Sequence, residues 1–284
     1  MEAPGGPGAP PMWGTGRKMA FGAAPGSRSK VWYTLADGNI SEVFFPYLDR
    51  VALHELRFFV SASGAPPVDD AADGQHSISW ISPGVPAFHV DSTHHEYRLT
   101  KEFFSDPEEN AMLIAATFTP ELPDLRLYLQ ASAHWQPGTE GNFGSVLDTH
   151  PPALLLQQQD VWICVVGPFS RATVGYFRSS DVHIDLSDAD GRLTYIYDSA
   201  GPGNVAVGAE LGVRAGTFQL AIASKLVAKI ARLELRASAA VFHTCQECRA
   251  IRAFRLRRNT PIARARSRRL DHIAALDIEV VRAA

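Results

Sequence analysis

The chain has 284 residues, of which 46% are hydrophobic, 20% charged and 10% aromatic, with a formal net charge of −3. This composition excludes a wholly disordered, collagen-like or disulfide-stapled chain, and the length is enough to bury a sizeable core. No apolar run approaches the roughly 18 residues of a membrane helix. Residues 1–11 are Gly/Pro-rich, with Glu2 as the one charged side chain, and lack the basic start and apolar stretch of a secretory leader. The compartment expected is the cytoplasm.

The totals hide a division. Residues 1–223 hold 13 Lys and Arg against 25 Asp and Glu, and residues 224–284 hold 14 against 5, so an acidic body precedes a basic tail. All 22 glycines lie at or before Gly216, and Pro261 is the single proline of the tail. The domain boundary is placed at 223/224.

Taken in chain order, the body predicts strand after strand. Candidates cover residues 30–35, 40–47, 55–60, 77–81, 87–90, 96–104, 112–118, 125–130, 153–158, 161–166, 172–177, 193–198, 205–211 and 217–222. In several of them apolar and polar residues alternate, as in Leu125, Leu127 and Leu129 or Phe218, Leu220 and Ile222, which sends one set to a buried face. Residues 161–166 (VWICVV) are continuously apolar and predict a strand covered on both faces, with Cys164 a buried thiol. Residues 193–198 (LTYIYD) carry the aromatic and β-branched side chains that suit a pleated surface. Turn chemistry separates these runs at 37–39, 82–84, 106–107, 138–144, 190–191 and 201–203. No long amphipathic helix precedes residue 224. The fold class predicted is all-β: a large antiparallel two-sheet sandwich with a basic tail, partly helical or disordered.

Few residues invite chemistry. No P-loop, GxGxxG, HExxH or GxSxG sequence occurs. Residues 188–191 (DADG) lack the further oxygen ligands of a calcium loop and read as a hairpin turn. His94 and His95 would point to opposite faces of a strand, which argues against a shared ion. His243, Cys245 and Cys248 form H-x-C-x-x-C without a fourth ligand. Neither a metal nor a cofactor is expected. Asp69–Asp70 and Glu108–Glu109 read as solvated loop charges. No carboxylate qualifies as catalytic, because hydrolysis needs two acids facing each other across a cleft. Trp13, Trp80 and Trp135 sit near loops and read as closing the ends of the core.

Two stretches carry a resemblance. Residues 4–24 read PGGPGAPPMWGTGRKMAFGAA, and residues 29–61 read SKVWYTLADGNISEVFFPYLDRVALHELRFFVS. Together they resemble the opening of the bacterial and archaeal glucoamylase–glucodextranase family (glycoside hydrolase family 15). The specific block is Val31, Trp32, Tyr33, Thr34, Leu35, Gly38, Ser41, Glu42, Val43, Phe44, Phe45, Pro46 and Asp49. Later pieces at 97–102, 105–107, 125–129, His134, 141–142, 192–195 and 203–206 follow in order. The resemblance implies a β-sandwich that precedes an (α/α)6 barrel. That barrel holds two catalytic glutamates and performs inverting hydrolysis of terminal α-glucosidic bonds. None of its catalytic positions has a counterpart here. The expected role is therefore a non-catalytic N-terminal domain in a chain truncated before the barrel, with that barrel as partner and an α-glucan as the parent enzyme's ligand. A stand-alone carbohydrate-binding sandwich is the alternative. The docking surface for the barrel is expected at Trp32, Tyr33, Glu42, Phe44, Tyr47 and Asp49.

The tail stays open between three readings. Residues 225–236 can form an amphipathic helix with Leu226, Ile230 and Leu233 on one face. The nine arginines between 249 and 269 would suit phosphate neutralisation, though a nucleic-acid partner is not the expectation. A disrupted reading frame would explain both the missing glycine and the end of the resemblance.

Overall fold

The computed structural model describes residues 1–24, 28–135 and 138–226. Its strands in chain order are β1 Ala20–Gly22, β2 Trp32–Ala36, β3 Asn39–Phe44, β4 Val51–Ser61, β5 Val68–Asp69, β6 Gln75–Trp80, β7 Phe88–His94, β8 Tyr97–Ser105 and β9 Ala111–Pro120. They continue with β10 Arg126–Ala133, β11 Asn142–Leu147, β12 Ala153–Gln158, β13 Val161–Val166, β14 Phe169–Tyr176, β15 Ser199–Gly203, β16 Val205–Leu211 and β17 Gly216–Leu226. Two short helices interrupt them, α1 at Asp70–Asp73 and α2 at Val182–Leu186. The first sheet runs β1-β2-β3-β4-β10-β16-β14, with β5 beside β4, and the second runs β15-β11-β12-β13-β17-β9-β8-β7-β6. The two sheets form the expected antiparallel sandwich.

Alternation sets the core. Tyr97, Leu99 and Phe103 of β8 face Leu53, Leu56 and Phe58 of β4 within one large apolar cluster between the sheets. Tyr33 is fully buried there and donates its hydroxyl across the sandwich to the Phe103 carbonyl at 2.7 Å. Gly22, opposite Tyr33 on β1, has no room for a side chain, because a Cβ there would overlap the Tyr33 ring. The continuous apolar run is buried on both faces, as predicted. Val161, Ile163 and Val165 enter the main core. Trp162 and Cys164 join Leu113, Leu155 and Ala223 in a second buried cluster on the outer side of the second sheet.

Several local readings change. Residues 193–198 form no strand. The Thr194 and Tyr195 amides donate instead to the Asp185 carboxylate at 2.6 and 2.9 Å, so a side chain supplies what a ladder would have supplied. Residues 188–191 make a turn after α2 rather than a hairpin. β11 and β15 occupy glycine-rich stretches that read as loops, because Asn142, Gly144 and Ser145 pair with 199–203 despite the glycines. The last strand extends through Leu226, so residues 225 and 226 are strand. The rest of the expected amphipathic helix, and the arginine-rich and H-x-C-x-x-C segments, lie outside the described residues.

The largest departure concerns Asp70, which is buried rather than solvated. Asp69 caps α1 through the Ala71 amide, and the turn carries Asp70 into the sandwich at 0% exposure. There it pairs with Lys101 of β8, also 0% exposed. Asn39 and Ser92 donate to its Oδ2 at 3.1 and 3.3 Å, and the Tyr97 hydroxyl donates to its Oδ1 at 3.0 Å. The Lys101 ammonium also donates to Asn39 Oδ1 at 3.4 Å and lies 5.4 Å from the centre of the Phe58 ring. Burial by itself would raise the Asp70 pKa, but the ammonium and the donors around it hold it below the usual carboxylate value. Burial lowers that of Lys101, and the carboxylate opposes the change. Lys101→Met would leave a buried carboxylate without its counter-charge. We expect a loss of about 3–5 kcal/mol of unfolding free energy in urea titration, part of it recovered when Asp70→Leu is added. A loss below about 1 kcal/mol would contradict this role for the pair.

Candidate functional site on the outer face of the first sheet

Residues 13–18 lie against the outer side of the first sheet, with Gly14 beside the Glu42 carboxylate, before the chain enters the edge strand β1. Lys18 pairs with Glu42 at 2.7 Å and donates to Ser41 Oγ at 3.3 Å. Ser41 and His54 are the residues skipped at two register shifts. One lies between β2 and β3, where Thr34 faces Glu42 and Leu35 faces Ile40; the other lies between β4 and β10, where Ser132 faces Glu55 and Ala133 faces Leu53. Such bulges re-aim side chains. Here they accompany a group of polar side chains on a face that alternation alone would leave to solvent.

His54 lies 6.3 Å from His134, ring centre to ring centre, and the Trp13 ring lies 5.2 Å from His134. Burial pushes the His54 imidazole down to about 4, with His134, Lys18 and Arg57 adding to the effect. Burial also lowers His134, against the pull of Glu42. The Glu55 carboxyl is raised by burial despite the neighbouring Arg57 guanidinium. Four polar atoms here are buried without a hydrogen-bond partner: His54 Nδ1, Glu55 Oε1, Ser132 Oγ and Trp135 Nε1. Each such atom represents a desolvation cost of about 1–3 kcal/mol that the sandwich alone does not offset.

The expected docking residues divide. Trp32 and Phe44 are cross-strand partners, half-buried on this outer face. Glu42 is held by Lys18. Tyr47 and Asp49 stand exposed in the turn between β3 and β4, with Leu48 between them. Tyr33 turns the other way, because β2 alternates, and is core rather than surface. Beside the exposed turn and the half-buried pair lie residues that periodicity did not single out: Met12, Trp13, Met19 and Phe21 are all exposed. Trp13 is 74% exposed and Trp80 is 56% exposed, so neither closes the core; Trp135 is half-buried. Strand alternation could not place Trp13, because segment 12–16 has no strand period.

The other half of the same outer face is closed. Asp181 caps α2 by accepting from the Ile184 amide at 3.1 Å, and Gln130 of β10 holds the start of that helix by donating to Asp181 Oδ2 and accepting the His183 amide. Val182, Leu186 and Leu193 cover Phe59 and Tyr128. Gly208 of β16 makes this approach possible, since a Cβ there would overlap Val182 Cγ2. The opening is therefore confined to the β1–β4 half.

The described residues thus form a two-sheet antiparallel sandwich with large apolar side chains exposed over one half of the first sheet's outer face. The chain belongs to the family described as glucodextranase, domain N, whose model matches residues 3–245. A glucoamylase from Clostridium sp. (strain G0005) is 29% identical over 222 residues, which cover 75% of this chain and 31% of that protein. The crystal structure of a bacterial glucoamylase complexed with acarbose superposes with a TM-score of 0.77 at 26% identity, covering 86% of this chain and 36% of that one. The chain thus spans about a third of the length of these relatives. It is an N-terminal domain of the glucoamylase type.

Two outcomes are expected. Trp13→Ala and Tyr47→Ala, at exposed positions, should each change unfolding free energy by less than about 0.5 kcal/mol, whereas Tyr33→Ala should cost about 3–5 kcal/mol. The His54 imidazole is harder to protonate in the folded chain than in the unfolded one, where its pKa is near 6.5. The unfolded state therefore binds more protons between about 6.5 and about 4, and stability falls as pH drops through that window, by up to about 3 kcal/mol from this group. In His54→Gln the fall should flatten by a comparable amount in urea titrations across that range.

Proposed function

We propose that this chain is the non-catalytic sandwich of a glucan-hydrolysing enzyme, and that it works by buttressing a helical catalytic domain through the open half-face of its first sheet. The observation that carries this reading is the exposure of large apolar side chains at the first sheet and its turn, with Trp13, Phe21 and Tyr47 at 74, 47 and 61%. A covering protein surface would remove these rings from water. Withdrawal of this apolar area from water favours association. Trp32, Glu42, Phe44 and Asp49 belong to the same proposed contact, whose centre is shifted towards Trp13.

Four buried carboxylates, with Glu55 the exception, support the non-catalytic part of the proposal. Asp70 is neutralised by Lys101, Asp181 caps α2, Asp185 holds the 194–195 backbone, and Glu210 pairs with Arg126 at 2.9 Å. Each has a structural partner. Inverting hydrolysis would instead need two acids about 6.5–9.5 Å apart across a sugar-binding cleft. The glucan is accordingly assigned to the catalytic domain, and the family relationship supports an α-glucan as its substrate.

The purified chain should release no glucose from maltooligosaccharides above a buffer blank. Mixed with the separately produced helical part of the Clostridium glucoamylase, it should form an equimolar complex on size-exclusion chromatography. Trp13→Asp combined with Tyr47→Asp should weaken that complex at least about tenfold. Glucose release by the chain alone, or a double variant that binds as tightly as the parent chain, would overturn the proposal.

A further inference from the structure

The β7–β8 hairpin places three metal-ligating side chains in a row. His94 ends β7 and pairs with Tyr97 at the start of β8, leaving His95 and Glu96 as a two-residue turn. The alternation that sends neighbouring strand side chains to opposite faces stops at this turn. The two imidazoles, expected to diverge, instead lie 4.1 Å apart, centre to centre. The Nδ1 of His94 is 3.8 Å from one Glu96 carboxylate oxygen, and the Nε2 of His95 is 3.9 Å from the other. One donor atom from each of the three residues lies within 4.8 Å of the other two.

Tetrahedral bonds of zinc to nitrogen and oxygen set neighbouring donors about 3.4 Å apart. The two imidazole–carboxylate separations, 3.8 and 3.9 Å, exceed that value by about half an ångström, and His94 Nδ1 also accepts the Glu96 amide at 3.4 Å. The backbone beneath is held, because the Glu96 carbonyl accepts the Glu121 amide at 2.7 Å. The His94 ring packs 5.3 Å from the Tyr97 ring and is mostly covered, while His95 is exposed. One ligand is thus pre-oriented and another is open to solvent. Glu96 has no Lys or Arg at ion-pair distance among the described residues, and the nearby Arg98 is engaged by Asp91.

We propose that His94, His95 and Glu96 form a three-ligand surface site for a borderline divalent cation of the zinc type. Two neutral imidazoles and one carboxylate suit Zn2+, Co2+, Ni2+ or Cu2+. Calcium and magnesium demand more oxygen ligands than this turn offers. Three protein ligands leave a fourth position for water or an exogenous anion. The site lies on the second sheet, and the proposed docking face lies on the first.

The test uses the full chain carrying Cys245→Ser and Cys248→Ser, so that the H-x-C-x-x-C segment contributes no thiolate. Calorimetric titration with zinc chloride should show one saturable equivalent of micromolar affinity. His95→Ala or Glu96→Gln should weaken it at least about tenfold, while His89→Ala on the neighbouring face of β7 leaves it unchanged. Cobalt loading should give the visible absorption of a low-coordinate site, lost in the same two variants. His95 is exposed, so its variant is expected to fold, and circular dichroism checks this. Uptake unaffected by both substitutions, or no saturable uptake at millimolar zinc, would overturn the proposal without touching the docking reading.

Discussion

A lysine and an aspartate, each removed from water, face each other between two apolar sheets, and much of the sandwich is arranged around that contact. Lys101 sits on the core side of β8 in series with Tyr97, Leu99 and Phe103. Sliding β8 by one residue would bring Arg98, Thr100 and Glu102 inward in their place and separate the ammonium from Asp70. The pair therefore holds the strand in one register. Its partners reach out to Asn39 beside the β2–β3 turn, to Ser92 on β7 and to the helix α1. The joint therefore ties the first sheet to the second at one end of the sandwich. Tyr33, bonded to the Phe103 carbonyl, ties them again further along β8. Buried ionic contacts add little net stability compared with well-packed apolar groups, but breaking one side of them is severe.

The two outer faces divide the remaining work. On the first sheet, α2 closes one half through Gly208 and Gln130 and leaves the other half to the N-terminal segment, the bulges and the exposed turn at 47–49. On the second sheet, Trp162, Cys164 and Leu155 are buried on the outward side, while among the described residues α1 packs beside β4, β5 and β7 and α2 beside β10 and β16. A sandwich with both outer faces partly withdrawn from solvent differs from a free-standing domain, whose outward alternation is polar. The relatives found for this chain are about two and a half times its length.

What the amino-acid order determined by itself was local and periodic. Period-two alternation in 125–130 and 217–222, the unbroken run at 161–166 and the turn residues between them define many short antiparallel strands, because each pattern reports on one strand and the faces beside it. The 31–49 block sufficed for the family, since a dense string of matched residue types needs no coordinates. Only the tertiary structure could decide what depends on distance in space. Asp70 looked like a loop charge because its partner is 31 residues away. Tyr33 looked like surface and Trp13 like core, because the inward sense of β2 and the path of 12–24 are set by neighbours rather than by their own sequence. Residues 193–198 had a strand's composition but gave their amides to Asp185. His94 and His95 came together because His95 lies in a turn rather than in the strand that His94 ends. In each case a side chain's surroundings are fixed by segments remote in the chain, and no local window contains them.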